Sequence, residues 1–167
     1  MGLIRNKDLS LRLGEFPSNA SATYYGGSGL ALNSNGELVL AKANQVSLAN
    51  GNTTKTTFLG LAWTTSAENA TRRDLISTCL AGPSLVTLCK LTLNSFTNAA
   101  GTPGITGDDF PYKTTDTWLP GDEVYLGNDG LWTNTAATAA DPYYGVVRAV
   151  STDQLEVYFY GSPVYKD

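Results

Sequence analysis

Leucines alternate with other residues on both sides of a short polar segment near the start of the chain. Four of them share this spacing, two in each arm: Leu30, Leu32, Leu38 and Leu40. Alternation with a period of two places side chains on one face of a β-strand. Asn35-Gly36, between the arms, is a preferred dipeptide of tight hairpin turns. Residues 29–42 are therefore predicted to form a β-hairpin with one apolar face.

A second hairpin signal lies in the last third of the chain. Pro120-Gly121 indicates a turn, because proline presets φ and glycine accepts positive φ. Residues 123–126 then have the composition of a short strand. Asn128-Asp129-Gly130 supplies the residues that a hairpin turn needs, and residues 131–133 begin the return strand.

These hairpins belong to a pattern that occurs twice in the same order. Residues 126–130 follow residues 32–36 at an offset of 94 residues. Three pairs of segments match in sequence: 32–36 with 126–130, 58–62 with 143–147, and 85–88 with 155–159. We infer one β domain over residues 28–161, built from two similar halves at about residues 28–93 and 119–161.

Three further segments complete the predicted set of strands. Residues 57–65 form a strand, and Gly60 in its middle indicates a bulge or a sharp bend. Residues 74–93 resemble a hairpin turning at Gly82-Pro83. The alternating segment 154–160 is the final strand, which we expect Gly161-Ser162-Pro163 to end, leaving residues 162–167 as a tail.

The remaining segments leave alternatives open. Residues 1–27 are either a flexible terminus or an extended arm that orders on a neighbouring subunit. Residues 94–118 are either a linker between the halves or a projecting loop that contacts a partner. No segment has the pattern of an amphipathic helix of ten or more residues. We therefore expect an all-β fold, either a compact β-barrel or a sandwich, with an extended N-terminal arm.

Composition and charge narrow the classes of partner. The net charge is −4 and basic residues are scattered, whereas nucleic-acid binding requires clustered Lys and Arg. No apolar run approaches the length of a membrane span, and the first residues lack the apolar core of a secretion signal. Cys79 and Cys89 are expected to be buried free thiols, consistent with assembly in a reducing cytoplasm.

One residue type on which many catalytic sites depend is missing. The chain has no histidine, which excludes Ser-His-Asp and Cys-His arrangements. Carboxylate pairs remain, as in glycoside hydrolases, but Asp122-Glu123 would point to opposite faces of a strand and Asp129 fits a turn. Asp108-Asp109 does not match a calcium loop. We expect neither an enzyme nor a metal or cofactor site.

Adjacent aromatic residues are the main candidates for contact. Aromatic side chains mostly fill β cores, although exposed tyrosine and tryptophan can stack on sugars or anchor protein interfaces. Tyr24-Tyr25 and Tyr143-Tyr144 each place one ring on either face of a strand. One ring of each pair is therefore expected to be exposed or to lie in a subunit contact.

The repeated hairpin resembles the small decoration, or cement, proteins of tailed bacteriophage heads. The matching pieces are residues 121–130 and 143–147, echoed in the first half by Asn35-Gly36 and residues 58–62. The resemblance implies a β-barrel or sandwich in the virion that binds the outer capsid surface and bridges neighbouring major capsid proteins. It also implies a homo-oligomer, with a trimer favoured, and no catalytic role.

Within this interpretation, residues 1–27 would anchor the chain and residues 94–118 would form a second contact. The candidate contact residues are Leu3, Ile4, Leu9, Leu11, Leu13, Tyr24, Tyr25, Phe110, Tyr112 and Trp118. The alternative function is a carbohydrate- or receptor-binding module of a phage tail or fibre, which would use exposed tryptophan and tyrosine. A glycan-degrading enzyme is the third hypothesis, disfavoured by the carboxylate arrangement.

Overall fold

Most of the secondary structure in the described part of the chain is β-strand. The computed structural model describes residues 3–5, 12–17, 24, 26–43, 57–62, 76–89, 91–92, 108–109 and 111–166. The strands are β1 (Leu3–Arg5), β2 (Arg12–Pro17), β3 (Gly29–Leu32), β4 (Leu38–Leu40), β5 (Thr57–Ala62), β6 (Ile76–Ala81), β7 (Ser84–Cys89), β8 (Leu91–Thr92), β9 (Asp108–Asp109), β10 (Glu123–Leu126), β11 (Trp132–Thr133), β12 (Tyr143–Ser151) and β13 (Gln154–Val164). The predicted all-β class is confirmed.

Two antiparallel sheets make up the body of the fold. A six-stranded sheet has the order β1-β7-β13-β12-β10-β11, and a five-stranded sheet has the order β2-β6-β5-β3-β4. Strands β8 and β9 form a separate two-stranded ladder. Neither sheet closes on itself through the described strands, which corrects the barrel alternative. Because Ala31 and Leu61 of one sheet share a hydrophobic cluster with Val124 and Val157 of the other, the arrangement is a sandwich.

The predicted hairpins are both present and have the same register. Leu32 pairs with Leu38 across β3 and β4, as Leu126 pairs with Trp132 across β10 and β11. Both turns contain a glycine at positive φ, 76° at Gly36 and 84° at Gly130. The Asn-Gly and Asp-Gly dipeptides thus predicted both turns correctly, because most residues other than glycine are strained at positive φ.

The strand that follows each hairpin carries the same bulge. The pairs at this position are Leu30 with Gly60 and Ala31 with Phe58 in the first half, and Val124 with Gly145 and Tyr125 with Tyr143 in the second. In each half the register shifts between the two pairs. The bulge predicted at Gly60 is confirmed, and Gly145 occupies the equivalent position in the second half.

The predicted hairpin over residues 74–93 is wrong. Strands β6 and β7 flank Gly82-Pro83, but β6 pairs with β5 and β2, whereas β7 pairs with β13 and β1. The turn therefore carries the chain from one sheet to the other. The same pairing corrects the alignment of closing strands, because Leu61 pairs with Leu80 as Val146 pairs with Tyr158. The counterpart of β13 is β6, and not residues 85–88.

The last strand is longer than expected. Leu155, Val157 and Phe159 are buried in alternation, as predicted, but β13 continues to Val164. Its pairing with β12 is irregular there, and Gly161 adopts a φ of 80°. A glycine at positive φ lets the strand bend without ending, so Gly161-Ser162-Pro163 is a bulge and the tail begins later than residue 162.

Parts of residues 1–27 join the sheets. β1 pairs with β7 at the edge of the six-stranded sheet, and β2 pairs with β6 at the edge of the five-stranded sheet. Tyr24 and Ser28 are buried. Whether this region forms an arm separate from the domain stays a prediction.

Burial is concentrated between the sheets and around one tryptophan. Trp132 is fully buried, and its indole Nε1 donates a 2.8 Å hydrogen bond to the carbonyl oxygen of Gly27. Its ring lies 4.9 Å from that of Phe159 and 5.5 Å from that of Tyr144. A second cluster contains Tyr24 and the alternating leucines of the first hairpin.

One cysteine can be compared with its prediction. Cys89 is a free, buried thiol, as expected, and burial raises its pKa. The side chain of Cys79 lies outside the described residues.

Candidate protein-binding surfaces

Several carboxylates of the described second half are engaged in structural contacts. Asp122 Oδ2 accepts hydrogen bonds from the Leu119 backbone and from the Asn134 amide, at 2.9 and 3.1 Å. Asp129 accepts a bond from the Leu131 backbone. Within the described ranges, no group of three or more His, Cys, Asp or Glu residues is placed to hold a metal ion. The side chains of Asp108 and Asp109 lie outside the description.

A small open cleft lies at one end of the six-stranded sheet, between the loop before β10 and the tip of the β12–β13 hairpin. This loop-end cleft has a volume of about 160 Å³ and is lined by Tyr112, Thr114, Asp116, Trp118, Val150, Ser151, Thr152, Gln154 and Leu155. Val150 is 42% exposed, and Leu119, which follows Trp118 in the chain, is 58% exposed. Val150 therefore lines the opening as an exposed apolar residue, whereas Leu119 lies next to a lining residue and is not itself part of the lining.

Backbone hydrogen bonds attach the loop of residues 111–118 to the second hairpin. The backbone N–H of Lys113 donates to the Trp132 carbonyl at 2.8 Å, and the N–H of Trp132 donates to the Pro111 carbonyl at 2.9 Å. Asp116 Oδ2 accepts a 2.6 Å bond from the Thr133 hydroxyl. Although this segment belongs to a predicted loop, its position is fixed by the strand beside it.

Two predicted contact residues pack against each other in this loop. The rings of Tyr112 and Trp118 meet edge to face, with centroids 6.1 Å apart. Trp118 Nε1 donates a 2.8 Å bond to the Lys113 carbonyl. Burial raises the pKa of Tyr112 to about 12. Both side chains are more than nine-tenths buried. They therefore form part of the cleft wall and expose little surface to solvent.

A second surface is the side of the six-stranded sheet that faces away from the core. We call it the tyrosine face and define it by Glu123, Tyr125, Tyr143, Val146, Tyr158, Tyr160 and Lys166. Ring centroids lie 6.3 Å apart for Tyr125 and Tyr143, and 5.9 Å apart for Tyr143 and Tyr160. Tyr158 follows at 5.6 Å from Tyr160. The rings therefore form a continuous aromatic row on this face.

One ion pair neutralises charge within the tyrosine face. Lys166 Nζ lies 2.6 Å from Glu123 Oε2, and the Tyr125 hydroxyl donates a hydrogen bond to the same oxygen. The hydrogen bond from Lys166 lowers the pKa of Glu123 most, and the hydrogen bond from Tyr125 lowers it further. Lys166 Nζ also lies 5.8 Å from the Tyr125 ring centroid, within cation–π range.

The predicted pairing of faces holds for one aromatic pair. Tyr144 is 2% exposed and packs in the core, whereas Tyr143 is half-buried on the tyrosine face. Tyr24 is 1% exposed, and Tyr25 lies outside the described residues.

The predicted contact residues are dispersed. Leu3 and Ile4 lie in β1, and Leu13 lies in β2, in different sheets. Tyr112 and Trp118 come together at the cleft, and Tyr24 belongs to the cluster beneath the first hairpin. The others lie outside the described residues: Leu9, Leu11, Tyr25 and Phe110. As contact residues, all ten stay predictions.

Three exposed or partly exposed groups were missed by the sequence analysis. Leu119 precedes Pro120-Gly121, and an apolar residue beside a turn signal is a usable sign of exposure. Val150 has no such signal, because it continues an alternating apolar strand. Lys166 is placed by the extension of β13, which the turn-like Gly161-Ser162-Pro163 concealed.

No helix in the described ranges is long and apolar enough to span a membrane. Comparisons of the chain with family models, with curated proteins and with solved structures found no match.

Proposed function

We propose that the chain is a non-enzymatic structural virion protein that binds the outer surface of a phage capsid. In this role it stabilises the head by bridging neighbouring major capsid proteins. The observation that carries the proposal is the loop-end cleft, where Val150 is an exposed lining residue and the exposed Leu119 follows the lining residue Trp118, on a hydrogen-bonded β framework. The same cleft includes Tyr112 and Trp118, two of the residues expected to contact a partner.

Rigid presentation of a few apolar groups suits this function. Burying a leucine or valine side chain contributes about 1.5–3 kcal/mol when it is fully exposed beforehand. A cleft this small therefore gives a weak single contact. A bridge that touches several capsid subunits at once gains effective concentration, and many weak contacts then hold a shell firmly.

Sedimentation with capsids tests the proposal. Purified heads of the phage that encodes the chain, stripped of this protein, are mixed with wild type or with Leu119→Asp/Val150→Asp. We expect wild type to sediment with the heads and the double variant to bind at least about tenfold more weakly, as for an interface hot spot. Tyr165→Asp is the matched control, since Tyr165 is 45% exposed elsewhere.

The outcomes separate the parts of the proposal. Failure of wild type to bind heads contradicts the capsid function. Equal binding by the double variant contradicts the assignment of the contact to the cleft.

The carbohydrate- or receptor-binding alternative has less support. Stacking on a sugar needs an exposed aromatic ring face. Trp132 is 0% exposed and Trp118 is 8% exposed, so neither of these tryptophans offers a ring to a glycan. A glycan site would have to use the half-buried Tyr143, Tyr158 and Tyr160 of the tyrosine face. Glycan binding by wild type that is lost on Trp118→Ala would reverse this preference.

A further inference from the structure

The two sheets use equivalent faces in different ways. Equivalent positions in the two halves are Ala31 and Tyr125, Phe58 and Tyr143, and Leu61 and Val146. In the first half these side chains pack into the core shared by both sheets. In the second half they lie on the tyrosine face, on the opposite side of the sheet from that core.

The other face of each sheet differs between the halves in the same way. Leu38 of the first half lies in the smaller cluster, and its equivalent Trp132 lies in the main core. Ala62 and its equivalent Val147 are divided in the same way. We call the face that carries Ala31 in the five-stranded sheet, and Tyr125 in the six-stranded sheet, the front of each sheet. The front of the five-stranded sheet packs against the back of the six-stranded sheet, so the two halves are stacked front to back. The front of the six-stranded sheet has no such layer among the described residues.

We infer that the tyrosine face is a self-association surface that packs against a second copy of this chain. One line of cross-strand neighbours on this face is mainly apolar and aromatic. Glu123 pairs with Val146, Val146 with Tyr158, and Tyr158 with Leu85. All four are half-buried within one chain. Tyrosine rings bury large areas at low entropic cost and are enriched in interface cores.

Charge favours a second copy as the occupant. The carboxylate of Glu123 is paired within the face by Lys166 at 2.6 Å. The charge beside the tyrosine row is therefore matched, and this part of the face meets an identical face without like-charge repulsion. Glu156, two residues before Tyr158 on the same side of β13, adds one carboxylate next to the row. The equivalent face of the first half is also covered by a sheet of this same chain, which shows that such a face accepts a β layer.

Molar mass in solution tests the inference without any capsid present, so its failure is distinguishable from failure of the proposed function. We expect light scattering to give a multiple of 17.7 kDa for wild type, whether a dimer or the trimer implied by the resemblance. Tyr158→Lys should shift the midpoint of dissociation to monomer upward by at least about tenfold in concentration, and Tyr165→Lys should not. A monomeric wild type, or an oligomer insensitive to Tyr158→Lys, overturns the inference.

Tyrosine footprinting keeps the test independent of the folding of any variant. Wild type is acetylated at dilute and at high concentration, and each tyrosine is quantified by mass spectrometry. Tyr158 and Tyr160 should lose reactivity at high concentration, whereas the exposed Tyr165 should keep it. Equal reactivity of Tyr158 and Tyr160 at both concentrations contradicts the inference.

Discussion

The two hairpin-containing halves share their backbone plan and differ in what their faces carry. Ala31 and Tyr125 occupy the same register position, beside the same bulge, yet one is in the core and the other on the tyrosine face. Turn and bulge residues fix how strands pair, because only certain residues tolerate those backbone angles. The side chains at equivalent positions differ in size because the two faces pack against different neighbours. Tyr125 is itself only 5% exposed, so equivalent positions compare the face that packs against the other sheet with the face that does not.

The largest expected effect is at the paired positions Trp132 and Leu38. Trp132→Ala should lower the free energy of unfolding by about 3–5 kcal/mol through the cavity it leaves. It also leaves the buried carbonyl of Gly27 without its indole donor. Leu38→Ala should cost about 2–5 kcal/mol, and less than the tryptophan change. Urea unfolding measures both.

Trp132→Phe serves as the control for the hydrogen bond, with an expected cost of about 1–3 kcal/mol. A cost of Trp132→Ala no greater than that of an exposed-site change such as Tyr165→Ala would contradict the burial described for Trp132.

A smaller effect is expected at the glycine of the second bulge. A Cβ at Gly145 would lie 2.5 Å from the Tyr158 carbonyl oxygen and 3.1 Å from the Phe159 Cα. Because backbone atoms cannot move aside cheaply, Gly145→Ala should cost about 3 kcal/mol of unfolding free energy. Gly36 has open space around it but a φ of 76°, so Gly36→Ala should cost about 1 kcal/mol. Thermal and urea unfolding give both values.

Gly60→Ala tests the same bulge in the first half, because Gly60 holds the position equivalent to Gly145 and has a φ of 153°. We expect it to destabilise as well. Tolerance of alanine at both Gly60 and Gly145 would contradict the shared bulge.

The smallest effect concerns the ion pair between Lys166 and Glu123; in the first half, Gly29 holds the position equivalent to Glu123. Lys166 lowers the pKa of Glu123 below its ordinary value of 4.5. A depressed carboxyl pKa contributes stability above the unfolded value, and this contribution is lost as pH falls through the folded pKa. Lys166→Ala should therefore lower the thermal midpoint slightly at pH 7, and the difference between wild type and variant should shrink as pH falls below 4.5 and vanish below the folded pKa of Glu123. A difference that persists in acid would contradict this origin.

Local signals in the sequence were sufficient for turns, bulges and strand alternation. Asn35-Gly36 and Gly60 were interpreted correctly because their backbone angles restrict residue choice. Gly82-Pro83 was misinterpreted, since a corner between two sheets uses the same residues as a hairpin turn. Which sheet receives the next strand depends on distant partners such as β13, and local pattern does not encode it.

The candidate surfaces were harder to predict than the strands. Tyr112 and Trp118 were identified as aromatic residues of a loop, and the cleft contains both. Their burial depends on the bonds between this loop and Trp132. The tyrosine face required knowing that β10, β12 and β13 are neighbours, and that the five-stranded sheet covers only their other side.

The central claim, a structural role on a phage head, is tested most directly by quantifying the chain in purified virions of its phage. Mass spectrometry with isotope-labelled peptides gives its ratio to the major capsid protein. The account predicts a copy number comparable with that of the capsid protein, and heads that become fragile to heat when the chain is missing. A few copies per particle would indicate a tail or fibre component, and absence from virions would contradict the proposed function.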